Sequence, residues 1–137
     1  MPLISSKGVY GLAAMYELLK HDNKEPMQIK KIAKQANIPQ NYLEQLLSKL
    51  RHASLVKSIR GSQGGYLLAT NPKNILIKDI LAILEDDIKL THNKSNNPVL
   101  NLFFDETKSK IQQIFNLSLY DLKKYQKTYN QHLHYNI

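Results

Sequence analysis

The stretch Gln40-Asn41-Tyr42-Leu43-Glu44-Gln45-Leu46-Leu47-Ser48-Lys49-Leu50-Arg51 decides the fold. Leu43, Leu46, Leu47 and Leu50 recur at helical spacing, so they form one apolar stripe and leave the polar residues on the opposite face. Asn37-Ile38-Pro39 stands just before it. Proline biases Ile38 away from helical angles, which breaks the chain there and lets a new helix start near Pro39 and run to about His52. Upstream, Ile29, Ile32, Ala33 and Ala36 share one face of a short helix from about Gln28 to Ala36. A short helix, a turn of about three residues and a longer amphipathic helix form a helix-turn-helix pattern.

The flanks extend the pattern. Val9, Leu12, Ala13, Tyr16 and Leu19 predict a helix from about Lys7 to His21, with Ser5 or Ser6 as its cap. Beyond the long helix, Leu55 to Arg60 reads as a strand with inward apolar residues at Leu55 or Val56 and at Ile59. Gly61-Ser62-Gln63-Gly64-Gly65 holds three of the chain's five glycines, and Tyr66-Leu67-Leu68-Ala69 reads as a returning strand. Three helices followed by such a hairpin make a winged helix, so the fold class is mainly α with a small β-hairpin. After the turn Thr70-Asn71-Pro72, Ile77, Ile80, Leu81 and Leu84 predict a further helix. Asn97-Pro98 opens another over Val99–Asn116, with a broad stripe that includes Leu100, Phe103, Phe104, Thr107, Ile111, Ile114 and Phe115. Ser118 caps a last helix carrying Leu119, Leu122, Tyr125 and Tyr129.

Composition narrows the function classes. The 137 residues are 42% hydrophobic, enough for a packed core, and carry a formal net charge of +8. Ten basic and four acidic residues fall in positions 1–60, which places six of the eight excess charges there. A polyanionic partner met by the first 65 or so residues is the natural inference. Cysteine is absent, which removes disulfides, thiol chemistry, cysteine-type zinc sites and cysteine-held iron–sulfur clusters. No signal peptide and no run of about eighteen apolar residues is present, so a cytoplasmic protein with no membrane partner is expected.

The outward residues at the start of the third helix are Gln40, Asn41, Tyr42, Glu44 and Gln45. In a helix-turn-helix these positions meet base edges in the major groove. Asn and Gln side chains pair with adenine, and Glu accepts from the amino group of cytosine. Lys49 and Arg51 lie further along, where phosphates are in reach. The alternative, an ordinary solvated helix face, stays open on these residues alone. Arg60 stands beside the glycine-rich tip, where an arginine gains from the negative potential of a narrow minor groove. Ser62 and the loop N–H groups at Gly64 and Gly65 are candidate phosphate donors; the alternative is that Gly64-Gly65 merely turns the chain.

Ser6-Lys7-Gly8-x-Tyr10, Tyr42-Leu43-Glu44-Gln45-Leu46-Leu47-x-x-Leu50-Arg51, Leu55-Val56 and Arg60-Gly61-x-x-Gly64-Gly65-Tyr66-Leu67-Leu68 together resemble the Rrf-two family of bacterial winged-helix regulators. The resemblance implies a homodimer on a partly palindromic operator in double-stranded DNA. It implies that Asn41, Tyr42 and Glu44 lie in the major groove and Arg60 in the minor groove. It also implies a dimer built by the long helix, with Leu100, Phe103, Phe104, Ile111, Ile114 and Phe115 as its apolar contacts. Residues 1–75 are then the winged helix-turn-helix DNA-binding domain, and 76–137 the helical linker and dimerisation region. Many relatives hold an iron–sulfur cluster with three cysteines where this chain has His92-Asn93-Lys94-Ser95-Asn96-Asn97. No cofactor and no metal site is therefore expected. A repressor is the leading role, and a metabolic sensor acting through a partner enzyme or a small-molecule effector is the alternative.

Enzyme motifs are lacking. Gly61–Gly65 has no following Lys-Ser/Thr and leads into a strand, so it is no P-loop, and no nucleophile elbow or dinucleotide fingerprint occurs. No catalytic residue is expected. Glu85-Asp86-Asp87 is read as a solvated helix end, and His132 and His134 as part of a frayed tail.

Overall fold

The computed structural model describes residues 2–21, 25–85, 90–91 and 93–135. In chain order it forms α1 (Ser6–Lys20), α2 (Ile29–Ala36), α3 (Gln40–His52), the strands β1 (Val56–Ile59) and β2 (Gly65–Leu68), α4 (Ile77–Leu84), α5 (Pro98–Ile114) and α6 (Lys123–Tyr135). Short 3-10 turns lie at Pro72–Asn74 and Leu119–Leu122. The strands pair antiparallel with Val56 opposite Leu68 at the base and Ile59 opposite Gly65 near the tip. None of the described helices is long and apolar enough to cross a membrane.

One cluster of buried side chains joins the elements. Met15 and Leu18 of α1, Ile32 of α2, Leu43, Leu47 and Leu50 of α3, Val56, Ile80 and Leu81 of α4, and Leu119 all belong to it. The core therefore runs across position 75, and α4 packs with α1 to α3. The chain leaves this core after Leu84 and returns at Phe115–Leu119. There Ile77 N–H donates to Leu117 O at 2.8 Å, Lys78 N–H to Phe115 O at 3.0 Å, and Leu119 N–H to Ile75 O at 2.7 Å.

The buried face of α1 keeps Leu19, as expected, but is rotated away from Val9. Val9 is 54% exposed, whereas Gly8, Gly11, Ala14, Met15 and Leu18 face inward. Leu12, Ala13 and Tyr16 pack at its edge. The cause is a close approach of α4. A Cβ on Gly11 would sit 1.9 Å from Cδ1 of Leu84, and one on Gly8 would sit 2.5 Å from Oε1 of Glu85. Only helix positions without a side chain allow that spacing, so the face is marked by glycines rather than by large apolar residues.

Ser5 is the N-cap of α1, but its side chain caps nothing. The Glu85 carboxylate does so from the end of α4. Its Oε1 accepts from Ser5 N–H at 2.8 Å, from the Ser5 hydroxyl at 2.8 Å and from Gly8 N–H at 3.2 Å. The two N–H groups are amides that an α-helix leaves without intrahelical partners, and the negative charge also suits the positive end of the helix dipole. Glu85 is thus a structural cap, not a solvated acid; Asp86 and Asp87 lie outside the described residues.

Elsewhere the local rules hold. Asn97 Oδ1 accepts from Val99 N–H at 2.9 Å with Pro98 in the first helical position of α5. Ser118 and Asp121 form a reciprocal capping box, which opens the turn that runs into α6. His132 and His134 lie on α6, exposed, so the tail read as frayed is helical through Tyr135. Ile59, expected to face inward, is 45% exposed because the two-stranded wing has no layer beneath its tip.

Substituting Glu85 by Ala removes all three cap bonds, and a loss of about 1–2 kcal/mol is expected in urea unfolding. Gly11→Val is expected to cost about 1–3 kcal/mol by forcing Leu84 aside. Midpoints unchanged in both variants would contradict the α1–α4 contact.

Candidate nucleic-acid interface

The turn before α3 is fixed by its own residues. Asn37 adopts the left-handed conformation at φ 56° and ends α2 with its N–H on the last carbonyls of that helix. Ile38 is buried, and its N–H donates to Ala33 O at 2.9 Å. These contacts hold α3 against α2, and the four leucines Leu43, Leu46, Leu47 and Leu50 fix its rotation. The outer face follows from that rotation. Gln40, Asn41, Glu44 and Gln45 are all exposed on it, as are Lys49 and Arg51 toward the C-terminal end.

Tyr42 stands at the flank. It is half-buried, and its ring meets that of Tyr10 edge-on, with centroids 5.6 Å apart and planes at 82°. A ring held this way presents its hydroxyl end in a fixed direction beside the amide stripe. Arg51 leans toward β1, with Nη1 donating to Ser58 Oγ over a long 3.4 Å. This links the end of α3 to the base of the wing.

The wing is anchored to α2 as well as to α3. Met27 and Tyr66 exchange both backbone bonds at 2.9 Å, adding a third strand-like position beside β2. Gln28 Nε2 donates to Ser62 O at 3.3 Å. Gly65 is required by that junction: a Cβ there would lie 2.4 Å from Met27 O, and its φ is +154°. Gly64 is buried, and its N–H donates to Gly61 O at 3.0 Å, closing the loop. Gly64 and Gly65 therefore turn and dock the wing; the Gly64 N–H is already engaged and is no phosphate donor. Arg60 and Ser62 remain exposed at the tip.

The structure thus brings the exposed stripe of α3 and Arg60 onto elements sharing one rigid core. Among the described residues the ion pairs are Lys20 with Glu17 and Lys110 with Glu106. Neither involves Lys49, Arg51 or Arg60, so these cations face solvent without an acid partner among those residues. Sequence reading missed the Met27–Tyr66 bridge, because one bridging residue leaves no periodicity. It also missed the Glu85 cap, which joins residues eighty positions apart. The Gly8-x-x-Gly11 spacing was the available signal for the close helix contact.

The expected dimer contacts divide into two groups. Leu100, Phe103 and Ile114 are exposed on α5, as are Val99 and Leu102, the last at 72%. Phe104 and Ile111 are half-buried. Phe115 is different: it lies just past α5 and packs on the core of its own chain. No residue of α5 is buried.

A helix-turn-helix with a wing tied back to its first helices defines a winged helix-turn-helix protein. Residues 4–125 match the model of the Rrf2 family, described as an iron-dependent transcriptional regulator, and the chain belongs to that family. It superimposes on CymR of Bacillus subtilis, the global cysteine regulator of that organism, with a TM-score of 0.83 at 38% identity, covering 91% of this chain and 98% of that one. The corresponding values for the IscR of T. potens are 0.76 and 38%, covering 88% and 85%. Among curated relatives, the Bacillus subtilis CymR is 51% identical over 85 residues, 62% of either chain. IscR of Vibrio atlanticus is 38% identical over 88 residues, 64% of this chain and 51% of that one. The matches thus span between half and two thirds of those relatives' lengths.

The donor set does not fit a cluster held by cysteine thiolates, since the chain has none. No group of three or more His, Asp and Glu among the described residues is arranged to hold a metal. His92 lies outside the described residues.

Because Gly65 meets backbone and Ser62 meets open solvent, the two should respond differently. Gly65→Ala is expected to destabilise by about 1–3 kcal/mol and Ser62→Ala by less than about 0.5 kcal/mol in thermal unfolding. Equal, small effects would contradict the docked wing.

Proposed function

We propose that the chain is a sequence-specific, DNA-binding transcriptional repressor that acts as a homodimer on a palindromic operator and carries no iron–sulfur cluster. The observation that carries this reading is the exposed stripe Gln40, Asn41, Glu44 and Gln45, set on a helix packed on the same core as a wing bearing an exposed Arg60. Amide and carboxylate groups at the start of α3 match the donor and acceptor pattern of the major groove. Tyr42, held by Tyr10, contributes from the flank. Lys49 and Arg51 contact phosphates, as does Ser62, and Arg60 enters the minor groove. Residues 1–75 do the reading, α4 completes their core, and the remainder links and dimerises.

The dimer reading rests on α5. A helix of 17 residues with no buried position and with Leu102, Phe103 and Ile114 exposed leaves an apolar surface that a second copy covers. Two reading heads then face two half-sites related by the same two-fold axis. A second reading, regulation through a small-molecule effector, is favoured by the cleft between α4 and α5.

Arg60→Ala is expected to weaken operator binding by about 1–3 kcal/mol in gel-shift titration at fixed salt; unchanged affinity removes Arg60 from the interface. Lys49→Ala is expected to lower the slope of log affinity against log salt by about 1, with little change in sequence preference. Phe103→Asp is expected to shift the sedimenting species from dimer to monomer, and an unshifted dimer would move the interface away from α5.

A further inference from the structure

The helices α4 and α5 meet near Phe115 and open into a cleft of about 570 Å³. That size is ordinary for a small-molecule site. Leu81, Ala82 and Phe115 give its lining an apolar part, and polar side chains supply the rest. Lys78 on α4 and Glu85, the residue just past its end, lie seven residues apart and both line the cleft. On α5 the wall is Ser109, Gln112 and Gln113, and the same spacing continues to Asn116 just beyond the helix end. A cation stands at one end of the cleft and a carboxylate at the other, and hydroxyl and amide groups face both.

Among the described residues the fold leaves part of both charges available. Lys78 has no ion-pair partner among the described residues. Among the described residues, all three bonds at Glu85 end on a single oxygen, Oε1, and none engages Oε2. Asp79, next to Lys78, adds a second acceptor on the same wall. With one ammonium and two carboxylates, this lining suits a ligand that carries both a positive and a negative group, with further polar atoms between the amides.

We propose that the cleft between α4 and α5 binds a small zwitterion of the amino-acid class. Its carboxylate rests on Lys78, its ammonium on Oε2 of Glu85, and its polar side chain among Ser109, Gln112 and Asn116. The site has a built-in connection to the rest of the molecule. Glu85 is at once a wall of the cleft and the cap of α1, and α5 is the helix assigned to the dimer. An occupant bridging the two walls fixes the angle of α5 against the α1–α4 core, and with it the separation of two reading heads. That regulatory consequence rests on the reading of the chain as a DNA-binding regulator; the binding itself does not.

The test is an amide ¹H–¹⁵N NMR titration of the full chain without DNA. The common amino acids are added in turn to about 10 mM, with acetate and ethylammonium as half-ligands. The expected result is saturable shifts at residues 78–85 and 109–116 for at least one polar amino acid. Affinity should fall about tenfold or more in both Lys78→Gln and Gln112→Ala, and the half-ligands should not saturate. Both substituted residues are exposed, so the folded spectrum is retained. Absence of saturable shifts with every amino acid would overturn the proposal, as would binding that Lys78→Gln leaves unchanged. Operator gel shifts on the same samples report separately on the DNA-binding reading.

Discussion

The contact on which the molecule depends is the one between α1 and α4. Gly8 and Gly11 let the two helices approach until Leu84 fills the space a side chain would take, and Glu85 closes the contact by capping α1. Helix α1 in turn packs against α2, α3 and the inner end of the wing through Ala14, Met15 and Leu18. If α1 were set further out, the leucine stripe of α3 would lose its floor and the rotation of its outer face would no longer be fixed. A single glutamate thus ties the start of the chain to the segment where the polypeptide leaves the core for α5.

Most of the fold is legible in the sequence because most of it is set locally. The period of the leucines in α3, the proline after Ile38 and the Asn97-Pro98 opening each act within a few residues, and every element from α1 to α5 lies within a residue or two of its expected place; the last helix begins as a 3-10 turn at Leu119 and becomes α6 only at Lys123. The α1 face is not legible in the same way. Large apolar residues such as Val9 mark it wrongly, because burial there is decided by a helix some seventy residues away. Glu85 was read as one of three solvated acids for the same reason: nothing near it shows that it faces the unpaired amides of a distant helix.

The candidate interface follows a similar division. The outer stripe of α3 could be deduced, since fixing four inward leucines fixes the outward positions as well. The role of Gly64-Gly65 could not. Its glycines satisfy a backbone approach to Met27, a residue whose part in the sheet leaves no pattern in the chain. Phe115 shows the converse limit. It falls on the stripe of α5 by period, yet it lies past the helix end, where the returning chain folds it onto its own core.

The missing cysteines give these features their weight. A family described as iron-dependent here has a member whose sequence holds no thiolate for a cysteine-held cluster. The charge of the first sixty residues and the amide stripe of α3 point to duplex DNA as the common target of the winged helix. Selection from a random duplex library tests that claim most directly. The account predicts enrichment of an inverted repeat whose half-sites are centred one helical turn, or a multiple of it, apart, with the consensus lost or relaxed for Glu44→Ala. No enriched motif, or the same motif for the wild-type chain and Glu44→Ala, would contradict it.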